Sequence, residues 1–239
     1  MKRILVICIS VVLFAKNIGA YAQDESSGKF SLSLDLASGF VWRGQSLNTS
    51  PVIQPEIAFN FGNLSVGTWA STPFVTDDYK ELDLFINYQI TPFFSIGITD
   101  YFVYANDPYT YFDFKKNKTG HNFDLQLMYE GQNGFKALAS TIILSGEDFN
   151  AKGDSNFSTY IELGYGNTHY GVDWEICAGF VPMASIEFYE IDKANVVNLG
   201  FGVSKKFEIT PTYSLPLSLQ FTVNPAHKAA LLTVVMKLF

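Results

Sequence analysis

Cysteine is almost missing from this chain. It occurs twice, at Cys8 and Cys177. Cys8 lies in an N-terminal apolar run, so the rest of the chain has a lone thiol and no intrachain disulfide. Basic residues are scarce: 16 Lys and Arg stand against 23 Asp and Glu, a formal charge of −7. That balance excludes a nucleic-acid binder and leaves no basic patch for anionic surfaces. The three histidines are scattered at His121, His169 and His227. No Gly-x-Ser-x-Gly or His-x-Ser arrangement accompanies them, and no His/Cys/Asp cluster has ligand spacing. The sequence therefore offers no catalytic residue, no metal site and no cofactor; the enzyme reading that survives is a lipid hydrolase based on His121. A long apolar run is lacking too. The longest, Ile4–Phe14, is far shorter than the roughly 20 residues of a spanning helix.

That short run has a function of its own. Lys2 and Arg3 precede it and Ala20-Tyr21-Ala22 follows, which is the pattern of a secretory signal peptide cut after Ala22. The expected domains are then a leader, 1–22, and one β-barrel, 23–239. Without Lys2, Arg3 and Lys16, 13 basic residues face 23 acidic ones, a net charge of −10.

What the chain does have is aromatics and a persistent period of two. In Glu81–Tyr104, Leu82, Leu84, Ile86, Tyr88 and Ile90 alternate with Glu81, Asp83, Phe85, Asn87 and Gln89. After Thr91-Pro92-Phe93, Phe94, Ile96 and Ile98 alternate with Ser95, Gly97 and Thr99. This predicts a hairpin with one oily and one polar face. The rhythm returns from Phe30, running on as far as Arg43, then at 53–61, 64–68, 123–130, 157–165, 170–180, 197–204 and 215–223; 135–144, with poorly distinguished faces, and 229–239, nearly apolar on both, complete about a dozen strands. Gly62-Asn63 predicts a two-residue turn pairing Phe61 with Leu64, and Asn167-Thr168 another pairing Gly166 with His169. Tight turns alternate with longer connections at 44–50, 73–80, 105–120, 146–156 and 182–194. Short turns on one rim and long loops on the other predict an all-β, transmembrane, antiparallel up-and-down β-barrel of about 12 strands, with short periplasmic turns and longer extracellular loops. Pro55 and Pro216 lie inside strands and remove ladder donors. A soluble two-sheet protein is the competing reading.

Part of the chain resembles a known family. Arg43-Gly44-Gln45-Ser46, then Pro51 and Gln54, Val66-Gly67-Thr68-Trp69-Ala70-Ser71, and Glu81-Leu82-Asp83 are similar to the R-G-x-S, G-x-W-x-S and E-x-D succession of TorF-type porins of two-membrane bacteria. The resemblance covers residues 39–88. It implies a signal-bearing outer-membrane barrel, with no catalytic residues to carry over.

If the oily face meets lipid, the other face lines the interior. It holds Asp35, Glu56, Glu81, Asp83, Asp124, Glu130, Glu162, Asp173 and Glu175, with Arg43 in register with Asp35 near the outer mouth, and Trp69 and Tyr160 offering flat stacking surfaces. An acidic lumen gathers cations and repels anions. The expected function is a porin-like outer-membrane channel for small hydrophilic solutes, weakly cation-selective. The expected partners are outer-membrane lipid, those solutes or cations, and the assembly machinery that reads a terminal aromatic such as Phe239. The alternative is a barrel with a filled lumen that acts through its surface loops. Tyr88, Tyr104, Tyr129, Tyr165, Tyr170, Trp42 and Phe94 are candidates for interfacial aromatic girdles.

Overall fold

The computed structural model describes residues 28–74, 79–104, 111–116 and 118–239. The expected leader at 1–22 lies outside these residues, as does 105–110 of the long aromatic loop. In chain order the strands are β1 (Lys29–Ala37), β2 (Phe40–Trp42), β3 (Gln45–Asn48), β4 (Val52–Phe61), β5 (Leu64–Pro73), β6 (Glu81–Gln89) and β7 (Phe94–Val103). They continue as β8 (His121–Glu130), β9 (Phe135–Ser145), β10 (Thr159–His169), β11 (Val172–Val181), β12 (Asn195–Thr210), β13 (Tyr213–Asn224) and β14 (Ala229–Lys237).

Twelve of these close into a barrel, from β4 round to β14 and back through β1. Every pair is antiparallel and joins chain neighbours, apart from the closing β1–β14 seam and the β1–β4 pair, between which the β2–β3 ribbon is inserted. The expected twelve-stranded up-and-down barrel is the fold observed. Among the described residues, no helix is long and apolar enough to cross a membrane.

The register follows from the alternation. Ile86 stands opposite Val66 and Ile98, while Asn87 stands opposite Ser65 and Gly97. A one-residue slip would exchange every such set between faces. The polarity is the reverse of that of a water-soluble sheet. Ile86 is 57% exposed and Leu163 64%, whereas Asn87 and Gln126 are each 1% exposed. Apolar side chains thus form the outer belt and polar ones the interior, an arrangement that suits apolar surroundings.

The two rims differ as expected. One has short turns at 62–63, 90–93, 131–134, 170–171 and 211–212; the other is where the longer connections leave β5, β7, β9 and β11 and enter β6, β8, β10 and β12. Aromatic pairs ring the short-turn rim on the outside: Phe30 with Phe59, Phe94 with Tyr129, and Phe135 with Tyr165, which also meets Trp174. Such amphipathic rings suit a boundary between apolar and aqueous phases.

Four local expectations are corrected. β1 does not run on to Arg43. It leaves the wall after Ala37, and Phe40–Asn48 folds as a separate ribbon. The turn between β10 and β11 is Tyr170-Gly171, not Asn167-Thr168: both residues have positive φ (49° and 73°), and Gly166 pairs with Glu175. Tyr170 is therefore a turn residue and not a strand aromatic. Trp42 is buried and takes no part in a girdle. Lys237, opposite Asp35 in the ladder, shares the interior face with it. The cost of Pro55 shows in the β4–β5 ladder, which keeps its register but lacks pairs at Gln54 and Pro55.

Candidate functional site

The candidate site is the long-loop half of the barrel interior, and the ribbon that leaves β1 builds it. The turn Arg43-Gly44 has positive φ at both residues (47° and 85°) and joins Trp42 to Gln45, the two-residue geometry that matches the twist of paired strands. Gly44 is required twice over. Its φ suits glycine, and a Cβ there would lie 1.9 Å from the Val197 carbonyl oxygen. The tip therefore abuts β12, and the Asn224 amide of β13 donates to the Gly44 carbonyl at 3.2 Å.

Arg43 is carried into the centre. Its side chain is 1% exposed, and Nη2 donates to Asp124 Oδ2 at 2.6 Å. Nη1 donates to the Tyr189 hydroxyl at 2.8 Å. The guanidinium carbon lies 4.5 Å from the Trp42 ring centre and 4.7 Å from that of Tyr160, a cation–π arrangement on two rings. Trp42 and Tyr189 stack with 9° between their planes.

Neighbouring strands hold the cage in place. The Tyr101 hydroxyl and the Gln126 amide both donate to Asp124 Oδ2, at 3.1 and 3.0 Å. The Tyr160 hydroxyl donates to Glu162, which also accepts from Asn198 at 2.9 Å. Tyr189 comes from the loop 182–194, which is pinched by reciprocal backbone bonds between Ser185 and Ile191 and tied through the Ser185 and Ser158 hydroxyls to Asp148. Burial pushes the Tyr189 phenol up, against the downward pull of the Arg43 charge, so it remains a neutral acceptor.

Around the cage, Ala37, Phe40, Val52, Trp69, Leu138, Val181, Val197 and Val235 form one apolar cluster reaching the wall on several sides. The long-loop half of the lumen is therefore occupied by packed side chains around the cage.

The twelve residues singled out from the sequence distribute as follows, with Glu130 half-buried opposite Lys136 in the β8–β9 ladder. Glu56, Trp69, Glu81, Asp83, Asp124, Tyr160 and Glu162 are buried on the interior face of the wall. Arg43 is interior but comes from the inserted ribbon, not from the register of Asp35. Asp35 and Glu175 are half-buried; Glu175 meets Lys136 at 3.4 Å. Asp173, half-buried near the short-turn rim, accepts from Thr168 at 2.6 Å. Tyr189, Tyr101, Gln126 and Asn198 were missed. Tyr189 lies in a loop without periodicity; the Arg43-Gly44 step after Phe40 and Trp42 was the legible signal for the ribbon.

His121 lies elsewhere, at the outer end of β8. Its Nδ1 is 2.8 Å from Asp100 Oδ2, and its Nε2 is 2.5 Å from the Tyr111 carbonyl oxygen. Phe102, Tyr111 and Phe114 pack on the ring. Both nitrogens thus face a carboxylate and a backbone carbonyl, not a hydroxyl nucleophile, and the pair anchors the segment 111–116 to the wall. His121→Ala should strand the buried Asp100 carboxylate, at a local cost of about 1–3 kcal/mol. Trypsin should then cut at Lys115 and Lys116 faster, with the barrel itself intact on gels; an unchanged cutting rate would remove His121 from this anchoring role.

Together these features define a closed β-barrel with an inverted polarity and a lumen plugged by its own ribbon. No protein-family model matches the chain, and no curated protein matches it either.

Proposed function

We propose that this protein is a bacterial outer-membrane channel, closed at rest, in which the β2–β3 ribbon is the gate and small hydrophilic cations are the cargo. The observation that carries the reading is the composition of the plug. A lumen filled for good is most stably filled with apolar side chains, and a buried ion pair is often no better than its hydrophobic replacement. Here the contact farthest from the ribbon's base is a guanidinium on Asp124, on a turn residue held at positive φ. That is how a latch is built. The wall around it carries Glu56, Glu81, Asp83, Asp124 and Glu162. With the ribbon withdrawn, these carboxylates would face a water-filled space and favour cations.

The inverted polarity, the rim aromatics and the expected leader support placement in the outer membrane. The resemblance of residues 39–88 to TorF-type porins points the same way, and its R-G-Q-S run is the ribbon turn itself. No catalytic role is proposed. The second reading is a permanently sealed barrel that acts through its outer loops, favoured by the apolar packing around Trp69 and Val52.

Excision of 40–48, with a short Gly/Ser bridge from Gly39 to Thr49, separates the two. In planar bilayers the intact protein should be silent, and the excised one should show steps with a cation-biased reversal potential. A folded, excised barrel that stays silent, or that prefers anions, would sink the channel reading.

A further inference from the structure

The latch is imperfect in an instructive way. Three donors (Arg43 Nη2, the Tyr101 hydroxyl and the Gln126 amide) converge on a single oxygen of Asp124, Oδ2. The other oxygen, Oδ1, is equally buried and has no partner, and Arg43 Nε is likewise buried without one. A guanidinium is a planar fork whose natural match is both oxygens of a carboxylate at once. Tethered to a turn whose backbone is fixed against Val197, this one reaches only a single oxygen. An unsatisfied buried carboxylate oxygen costs free energy that a better-placed donor would recover.

We propose that the cage of Asp124, Tyr160, Tyr189 and Trp42 is a recognition site for solutes bearing a free guanidinium or amidinium group, and that Arg43 occupies it as a tethered stand-in. This inference rests on the gated-channel reading and names its cargo. An untethered guanidinium entering between the Tyr160 and Trp42 faces can pair both oxygens of Asp124 and still donate to the Tyr189 hydroxyl. Binding of this kind competes with Arg43 for Asp124 and removes one of the ties that seat the ribbon, so the solute biases the gate toward opening. The requirement for a planar, forked cation distinguishes such a solute from potassium or a simple ammonium, which cannot span the two oxygens in one plane.

The test empties the cage and refills it. Arg43→Ala removes the stand-in and leaves the Gly44–Asn224, Gln45–Phe188 and Asn48–Tyr79 bonds that seat the ribbon. Methylguanidinium chloride titrated into this variant should change tryptophan emission saturably; the wild type, where Arg43 competes for the cage, should need at least about tenfold more. Urea, flat but uncharged, should bind at least about tenfold more weakly, and Arg43→Ala/Asp124→Asn should lose methylguanidinium binding by a similar factor. Absence of saturable binding, or equal binding of urea, would overturn the proposal. Bilayer recording on the same variant keeps the two readings apart. If methylguanidinium binds but no variant conducts, the cage stands and the channel falls; if the variant conducts and methylguanidinium neither binds nor blocks, the cargo class falls and the channel stands.

Discussion

Gly44→Val should convert a silent barrel into a conducting one. Valine at φ 85° leaves the region open to L-residues, at roughly 1–2 kcal/mol for an ordinary side chain and more for a β-branched one. The larger obstacle is spatial. Any Cβ at this position lies 1.9 Å from the Val197 carbonyl oxygen, and Val197 belongs to β12, where it is the unpaired residue of the bulge against β11, between Val196 and Asn198, which do pair, and just ahead of the β13 ladder that starts at Leu199. β12 is hydrogen-bonded into the wall along most of its length and the ribbon tip is not, so the tip gives way first. Retreat draws the Arg43 guanidinium away from Asp124, and breaking a buried pair of this kind costs about 3–5 kcal/mol. The ribbon then has little left to hold its tip against the far wall. Its strands pair only with each other, so the twelve-strand ladder should survive and the heat-modifiable gel mobility with it. Single-channel recording should show cation-preferring steps absent from the wild type. Gly44→Ala meets the same oxygen and should act in the same direction. A folded Gly44→Val barrel without conductance would show that the ribbon tip does not set the closed state.

The wall was legible in the sequence and the plug was not, for one physical reason. A barrel strand has a different solvent on each face, so period two is written residue by residue: Ile86 outward, Asn87 inward, Tyr88 outward. The turn at Gly62-Asn63 could be placed because a misplaced pair would have mixed the faces. Asn167-Thr168 was misplaced because His169 and Tyr170 tolerate either side of a rim, so polarity gave no penalty for an error of three residues. Inside the plug that constraint disappears. Phe40, Trp42 and Arg43 are buried together although two are aromatic and one is charged, since a ribbon within a lumen has protein on both faces. Arg43 could be assigned to the interior by parity, yet its partner could not. Asp124 and Tyr189 lie 81 and 146 residues away, and neither separation has a local signature. The ring of carboxylates was therefore readable as a row, but the cation that closes on it was readable only as an Arg-Gly turn.

Ile86→Arg should destabilise the folded barrel by about 2–4 kcal/mol in lipid vesicles, the cost of an arginine at the middle of an outward face that meets hydrocarbon. Ile86 is suited to the test because it touches nothing that the plug uses. It is 57% exposed, its ladder partners Val66 and Ile98 lie on the outer belt, and it is not part of the buried cluster around the cage. In a water-soluble protein an exposed isoleucine changed to arginine would alter stability by no more than about half a kcal/mol in either direction. The two surroundings thus give different answers for the same substitution, and the barrel's shape alone gives neither. Urea-dependent folding into vesicles, followed by tryptophan emission, measures the difference, because Trp69 is packed inside and Trp174 stands in the rim aromatics. A penalty within half a kcal/mol would mean that the apolar belt does not face lipid. The carboxylates inside would then have no membrane to cross, and the ribbon no passage to close.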